Sequence, residues 1–315
     1  MSNQDTYRKL CQTRTDIPLF MQAWWLDATD LPWDVIFYQE KDQIAGIYVY
    51  SYVKKWGKTL ILQPTLTQYS GPFLFYPEGI SQTKKYSLEN KAHTHFIAQL
   101  EAKKFHFLEQ NWHHSQQNWQ PYYWNKFKQT TRYTYILENI ANTQAIFKGL
   151  SENKKRQYKK AEAALFTLSL QLSAQAFYQF YNTCLQAKGQ TIMYSFQTFE
   201  KLYNAAKERG QGQIFAMYDN QHQLHTALWV IWDNHCAYDM ITPINATYRN
   251  SGATTRIIFE AMAFLQGKTV HYDFEGSMIE GSAHRNQLFG AKQVAYHQIQ
   301  KSHSKLLSLW RMLKK

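Results

Sequence analysis

The pattern of apolar and polar positions predicts three strands near the start of the chain. Residues 35–38 form an apolar run, residues 44–53 alternate in side-chain character, and residues 59–62 form a short run before Pro64. Alternation with a period of two is typical of strands that bury one face, and the polar residues 39–43 are typical of a hairpin turn. This block therefore predicts three consecutive strands.

A second block repeats the same order. Residues 214–218, 224–232 and 236–241 predict three further strands, the last of which ends at Pro243. The two blocks align without a gap, because 214 − 35 and 243 − 64 both equal 179. Repetition of this kind indicates a duplicated structural unit.

Helical patterns precede both blocks, over residues 16–30 in the first half and over residues 174–188 and 196–209 in the second. We therefore predict an α+β fold with two tandem domains, residues 1–145 and 146–315, each a mixed central sheet flanked by helices.

Composition and charge narrow the function classes. The chain has 315 residues, 44% of them hydrophobic, which excludes a disordered protein. It carries 35 Lys and Arg against 23 Asp and Glu, a net charge of +12 that favours anionic partners. No apolar leader or membrane-spanning run is visible, so we expect a cytoplasmic protein, with peripheral attachment at the inner membrane surface left open. The oligomeric state is left open.

The cysteines and histidines predict neither disulfides nor a metal. Cys11, Cys184 and Cys236 lie far apart, which excludes a disulfide framework and a cysteine-based zinc site. No set of His, Asp or Glu residues has the spacing of metal ligands, so we predict no metal.

A basic helix is predicted at the start of the second half, with Ser151 as its N-cap. Cations crowd its first turn, where the helix dipole disfavours them, and like charges recur four residues apart. A bound anion would offset both penalties, although a solvated basic face fits the pattern equally well. The candidate anion-binding residues here are Lys154, Lys155, Arg156 and Lys159.

A polar loop that contains glycine joins the strand ending at Pro243 to the next predicted helix. Free amides at the start of that helix are suited to hold a phosphate, with an arginine nearby to supply charge. The candidate donor-binding residues are Arg249, Ser251, Gly252, Ala253 and Thr254.

The next predicted strand supplies candidate acid–base residues. Alternation places His271, Asp273 and Glu275 on one face at the strand's end, and either carboxylate is a candidate general base. Asp239 is a weaker candidate on the same sheet. The alternative is that the two acids only organise the turn at Gly276.

Three stretches resemble the Fem-type, GNAT-related acyltransferases. Residues 154–162 (KKRQYKKAE) are similar to the basic helix that opens the second domain of that family. Residues 249–254 are similar to the GNAT pyrophosphate loop, with Thr254 where Gly or Ala is preferred. Residues 272–277 (YDFEGS), followed by 288–291 (LFGA), are similar to the family's "yDF-x-Gs … FG" pattern.

The resemblance implies two GNAT-like domains and transfer of an acyl or aminoacyl group to an amine. It implies acyl-CoA or aminoacyl-tRNA as the donor, and an anionic lipid-linked or cell-wall precursor as one class of acceptor. Ser277 and Arg285 join the candidate substrate-binding residues. Many relatives carry a basic residue just before Phe-Gly, where this chain has Asn286 and Gln287.

The mechanism expected from these residues is direct attack without a covalent enzyme intermediate, because no cysteine or serine has an evident activating neighbour. We expect the strands at 224–232 and 236–241 to frame the site, with backbone amides stabilising the oxyanion where the central strands splay apart. Two other classes remain open: a basic nucleic-acid-binding module and a non-catalytic scaffold derived from the same fold.

Overall fold

The computed structural model describes residues 2–276 and 278–304. The helices are α1 (Asn3–Thr13), α2 (Ala23–Ala28), α3 (Gln82–Ala102), α4 (Gln120–Trp124), α5 (Thr143–Gly149), α6 (Glu152–Ala163), α7 (Ala174–Gln186), α8 (Phe196–Glu208), α9 (Ala253–Leu265) and α10 (Glu280–Gln287), with 3-10 turns at Leu19–Met21 and Ala246–Tyr248. The strands are β1 (Trp33–Glu40), β2 (Gln43–Lys55), β3 (Lys58–Leu62), β4 (Gly71–Leu74), β5 (Phe107–Asn111), β6 (Lys128–Leu137), β7 (Thr167–Ser169), β8 (Gly212–Tyr218), β9 (Leu224–Trp232), β10 (Cys236–Ile241), β11 (His271–Asp273) and β12 (Lys292–Ser302).

The described residues form two compact units, and the first contains residues 2–132 together with 295–304. Its strands follow the order β1-β2-β3-β5-β12, with β4 paired to β2. β1, β2 and β3 form antiparallel hairpins, whereas β5 runs parallel to β3 and antiparallel to β12. Aromatic side chains dominate one of its cores, including Tyr48, Phe96 and Trp112.

The second unit runs from Tyr133 to Val294. The end of β6 pairs with β11, and the order continues β11-β10-β9-β8-β7. β10 and β11 are parallel, and the other pairs are antiparallel. Helix α9 places Ile257, Ile258 and Met262 in the core of this unit, and α6 packs on α9.

The two predicted strand blocks are present. The first contains the antiparallel series β1-β2-β3, and the second contains the antiparallel series β8-β9-β10. Their first strands begin at Trp33 and Gly212, which are again 179 residues apart (212 − 33). The predicted mixed α/β architecture with helices flanking the sheet is therefore confirmed.

The units do not divide at residues 145/146, where the sequence pattern placed the boundary. The division falls between Arg132 and Tyr133, and the chain returns to the first unit from Ala295 onward. The reason is that the last residues of β6 pair with β11, while Ile140 and Ile146 belong to the core that surrounds α9. A linear pattern does not reveal such a return.

Two details of the helices also differ from the prediction. Residues 16–30 hold a 3-10 turn and the short helix α2 rather than one helix, and α1 was not predicted. α1 is mostly polar, but a capping box at Ser2 and Asp5 fixes its start. Within the described residues, no helix combines the length and apolar character needed to cross a membrane.

Candidate functional site

The parallel strands β10 and β11 part after three residue pairs. Their ladder ends with Tyr238 opposite Asp273, and the next residue, Phe274, donates its amide hydrogen to the Tyr135 carbonyl of β6 instead. β9 and β10 stay paired as far as Ile241. The sheet therefore opens between β10 and β11, and the expectation that β9 and β10 frame the site stays a prediction.

Three carboxylates lie at this opening, and all three were candidates from the sequence. Asp239 is 5% exposed and Asp273 is 1% exposed, whereas Glu275 is half-buried. Asp239 accepts a hydrogen bond from the Thr242 hydroxyl, and Asp273 accepts one from the Thr134 hydroxyl. Neutral hydroxyls satisfy acceptor capacity but supply no formal charge, so mutual repulsion among the acids persists.

Glu275 is a carboxylate in a strongly perturbed environment. Burial raises its pKa well above the ordinary range of a glutamate, and the charges of Asp273 and Asp239 raise it further. Its backbone has φ = 55°, in the left-handed region that residues other than glycine seldom occupy. Strain and a raised pKa at one residue are typical of functional sites.

Asp239 lies beside Tyr272 and Arg285. Burial raises the pKa of Asp239, while the Arg285 charge and the Thr242 hydroxyl act in the opposite direction. The Tyr272 hydroxyl and the second carboxylate oxygen of Asp239 are both buried and interact electrostatically, but neither has a hydrogen bond of regular geometry. Because Ala237 is in register with Tyr272, Asp239 and Tyr272 share a face of the sheet.

Lys154 is buried although it carries an ammonium group. It is 7% exposed, and its Nζ lies 3.1 Å from Gln157 Oε1, 3.2 Å from Thr255 Oγ1 and 4.6 Å from the centre of the Phe289 ring. Burial lowers the pKa of Lys154 to about 8, and the neighbouring Arg285 charge contributes to the decrease. No carboxylate forms an ion pair with it among the residues described, so the ammonium stands as a buried cation on neutral partners.

Lys154 and Arg285 place cations beside the Phe-Gly turn. The chain has Asn286 and Gln287 just before that turn, and Asn286 accepts a hydrogen bond from the Arg285 guanidinium at 3.0 Å. The cation that the sequence lacks at Asn286 and Gln287 is therefore present nearby, as Lys154 of α6 and as Arg285, the residue before Asn286 in α10.

The predicted phosphate loop is used for packing. Gly252 has φ = 87°, and a Cβ there would lie 2.1 Å from the Gln157 carbonyl oxygen of α6. Ala253 is 1% exposed and its amide donates to Ser251 Oγ, while the amide of Ser251 donates to the Tyr248 carbonyl. This geometry counts against an open cradle at Ser251–Thr254, because the start of α9 is pressed onto α6.

Exposed cations lie on α6 and on this loop. Lys160 donates to the Asn250 carbonyl at 2.9 Å, which ties α6 to the loop that carries the exposed Arg249. Arg156 lies one turn before Lys160 and is also exposed. We call Arg156, Lys160 and Arg249 the basic patch. Of the other predicted anion-binding residues, Lys155 is paired with Glu152 at 2.8 Å and Lys159 is exposed.

Ser277 lies outside the described residues, so its predicted role has no structural description here. The residues that sequence reasoning missed are the hydroxyl groups of Thr134, Thr242 and Tyr272. Thr134 is 139 positions from Asp273, so no local motif links the two. Tyr272 alternates with the predicted acids along its strand, and only the pairing of β10 with β11 places it on the face of Asp239, with which its hydroxyl interacts.

The cysteines are not activated as nucleophiles. Burial raises the pKa of Cys236 well above its ordinary value, the nearby Asp273 charge adds to this, and burial raises the pKa of Cys184 to about 11. Burial also raises the pKa of Cys11. A thiolate is the reactive form, so these environments disfavour nucleophilic catalysis by cysteine. Across the described residues, no group of three or more His, Cys, Asp or Glu side chains is arranged to hold a metal ion.

Comparison with solved structures identifies the fold. The chain matches FemX with a TM-score of 0.71 at 11% identity, covering 99% of this chain and 98% of that one. It matches a tandem GNAT protein from the clavulanic acid biosynthesis pathway at 0.53 and 9%, covering 96% and 94%. It matches L-PGS from Bacillus licheniformis at 0.53 and 7%, covering 92% and 93%.

The predicted Fem-type, tandem GNAT-like fold is therefore confirmed over nearly the whole chain. By sequence, no known family matches, and no curated protein does.

Substituting Gly252 tests whether packing fixes this glycine. In Gly252→Ala the new Cβ meets a backbone carbonyl. We therefore expect the free energy of unfolding to fall by about 2 kcal/mol or more, beyond the fall that the left-handed backbone conformation alone would cause. Gly267→Ala is the matched control, because Gly267 follows the same helix at φ = 75° with nothing within 4 Å. Equal losses in the two variants, measured by urea unfolding, would contradict the packing role.

Lys154→Met tests the burial of the ammonium. Below pH 8 both the folded and unfolded wild-type chains are charged here, so folding bears the full desolvation cost, and the variant should melt at a higher temperature. Between pH 8 and 10.5 the folded wild type loses this proton before the unfolded chain does, so wild-type stability rises and the difference should shrink. Thermal melts of both proteins from pH 6 to 11 measure this, and a difference independent of pH would refute it.

Proposed function

We propose that this protein is an N-acyltransferase that moves an acyl or aminoacyl group to an amine acceptor by direct attack, without a covalent enzyme intermediate. The observation that carries the proposal is the group of three carboxylates, Asp239, Asp273 and Glu275, at the parting of β10 and β11. The shared fold with FemX and a tandem GNAT protein supports a transferase rather than another enzyme class.

Glu275 is assigned as the base. An attacking amine must be neutral, and a carboxylate whose pKa is raised above the ordinary glutamate range accepts the ammonium proton more readily than an ordinary glutamate does. The amine nitrogen then bonds to the donor's carbonyl carbon. As the tetrahedral intermediate collapses, the C–S bond of a thioester or the C–O bond of an aminoacyl ester breaks. The sulfur or oxygen leaves with the electron pair and takes up the proton that the attacking nitrogen releases.

The parting strands supply the remaining elements of the reaction. Beyond Tyr238, backbone groups on the β11 side of β10 have no ladder partner from β11. Amides in such a position suit the developing oxyanion, and their fixed orientation avoids reorganisation during the reaction. Asp273 is assigned to orient the amine, and Asp239 to balance the charge of Arg285.

Lys154 and Arg285 suit an anionic acceptor. Lys154 lies beside Phe289, and the charge of Arg285 acts on it. Lys154 retains donor capacity after its two contacts to neutral oxygens, because an ammonium has three N–H groups. A carboxylate or phosphate of the acceptor would offset the desolvation of Lys154. An anionic lipid-linked or cell-wall precursor is an acceptor of this kind, and cytoplasmic location is part of the proposal.

The donor is an acyl-CoA or an aminoacyl-tRNA. Because Gly252 and Ala253 are closed off by α6, we assign the donor's phosphates to the basic patch of Arg156, Lys160 and Arg249 rather than to the backbone amides of the loop. Arg249 therefore keeps its predicted role in binding the donor, but it acts together with Arg156 and Lys160 instead of with the loop amides.

The carboxylates at the opening disfavour the two alternatives. A nucleic-acid-binding module or a scaffold gains nothing from placing two buried acids, Asp239 and Asp273, beside a half-buried third, Glu275, whose pKa they raise. Such clusters persist where the perturbed pKa has a use in catalysis.

The pH dependence of the reaction tests Glu275. Activity should rise with pH as the base loses its proton, and the acid limb of kcat/KM should lie above the ordinary glutamate range because the pKa of Glu275 is raised. Glu275→Gln should lower kcat about 100-fold or more and remove this limb, whereas Asp273→Asn should lower kcat while donor affinity holds. Full activity in both variants would remove the assignment.

Binding of the donor tests the basic patch. The wild-type protein should melt at a higher temperature when its correct donor is bound. At a donor concentration of 100 times Kd, binding adds about 2.7 kcal/mol to the free energy of unfolding. With an aminoacyl-tRNA donor, affinity falls as salt is added. Lys160→Gln and Arg249→Gln should each reduce the steepness of log affinity against log salt concentration by about 0.9. Lys201→Gln, an exposed lysine on α8, is the control. If Lys201→Gln reduces the salt dependence of binding as much as the two patch variants do, the assignment is contradicted.

A further inference from the structure

An exposed tryptophan forms the tip of the β2–β3 hairpin. Lys55 pairs with Lys58, so the connecting turn consists only of Trp56 and Gly57. The Trp56 side chain is 86% exposed, although tryptophan is among the residues that gain most from burial.

The backbone gives no local reason for a tryptophan at this position. Trp56 has φ = 50° and Gly57 has φ = 68°, the pattern of a type I′ turn, in which asparagine followed by glycine is strongly preferred. A bulky residue in the left-handed region adds backbone strain. Trp56 therefore bears both strain and exposure in this state of the protein.

Three lysines lie within two residues of Trp56 in the hairpin. Lys54 and Lys55 are exposed, Lys58 is half-exposed, and Lys55 Nζ lies 4.6 Å from the centre of the Trp56 ring. An indole among lysine ammonium groups is suited to the interface of an anionic bilayer, where the ring enters the headgroup region and the cations meet the phosphates.

A second aromatic and basic group lies at the same end of this unit's strands. β3 begins at Lys58, its neighbour β5 begins at Phe107, and Phe107 is paired with the end of β12 at Ser302. One residue earlier, Lys301 Nζ donates to the Asn125 carbonyl at 2.8 Å. Asn125 is flanked by exposed residues, namely Tyr123, Trp124, Lys126 and Lys128.

We propose that the hairpin tip at Lys54–Lys58, supported by the group at Tyr123–Lys128, docks the protein on the surface of an anionic phospholipid bilayer. We call these two segments the docking edge. Trp56 inserts at the headgroup level, and the lysines interact with the lipid phosphates.

The shape and chemistry of the docking edge favour a bilayer over RNA. Single-stranded nucleic acids bind in basic grooves whose aromatic rings stack with successive bases, whereas Trp56 projects from a convex hairpin tip. The cations at the docking edge are all lysines, and arginine is the residue suited to stacking and to paired contacts with single phosphates. Lysine acts as a point charge, which is sufficient for attraction to a charged surface.

The test uses the full chain and vesicles of phosphatidylcholine alone or mixed with phosphatidylglycerol, separated by sedimentation. We expect binding to the mixed vesicles only, weakening as salt is added. Trp56→Asn should lower the partition coefficient about tenfold or more, and Lys55→Gln about fivefold. Because Trp56→Asn creates the preferred Asn-Gly turn, its melting temperature should be equal to or above that of the wild type, so lost binding cannot result from misfolding.

Leu165→Asn is the matched control. Leu165 is also apolar, 81% exposed and in the left-handed region at φ = 51°, but it lies in the second unit, after α6. Its partition coefficient should equal that of the wild type. The proposal is overturned if wild-type protein does not bind the anionic vesicles or if Trp56→Asn binds them normally. It is also overturned if Trp56→Asn loses affinity for single-stranded RNA but not for vesicles.

Discussion

The concentration of acidic groups where β10 and β11 separate is the constraint on which the candidate site depends. Asp239, Asp273 and Glu275 lie there, and the pKa of Glu275 is raised well above its usual range, first by burial and then by the charges of Asp273 and Asp239. The charge of Arg285 acts against the raised pKa of Asp239. Lys154 places a second cation near Arg285, and its own pKa is lowered by burial and by the Arg285 charge. The helices that carry these two cations are therefore linked to the sheet opening through charge as well as through apolar packing.

Much of the fold could be predicted because strands with a buried face have a period of two. The three-strand blocks are visible as patterns, and their spacing of 179 residues suggested duplication. The unit boundary could not be predicted, because it depends on β6 pairing with β11 and on the return of the chain along β12. These pairings join residues more than a hundred positions apart, for which a single sequence has no signal.

The candidate site divides in the same way. Asp273 and Glu275 could be identified from one strand, since alternation placed them together at its end. The phosphate loop was judged from local residue types, and local types do not show that Gly252 meets the backbone of Gln157. A loop glycine can allow close approach of a helix or can allow a phosphate to bind, and the two cases look alike in the sequence. Only the tertiary contact distinguishes them.

The contact between Gly252 and Gln157 also determines how the cations on α6 and the loop behave as a set. With backbone against backbone, and with Lys160 bonded to the Asn250 carbonyl, α6 and the start of α9 have little freedom to shift against each other. Arg156, Lys160 and Arg249 are therefore held on a rigid frame before any anion arrives. Only side-chain rotamers remain to be ordered, which lowers the entropic cost of association and favours ligands whose phosphate spacing already matches this frame.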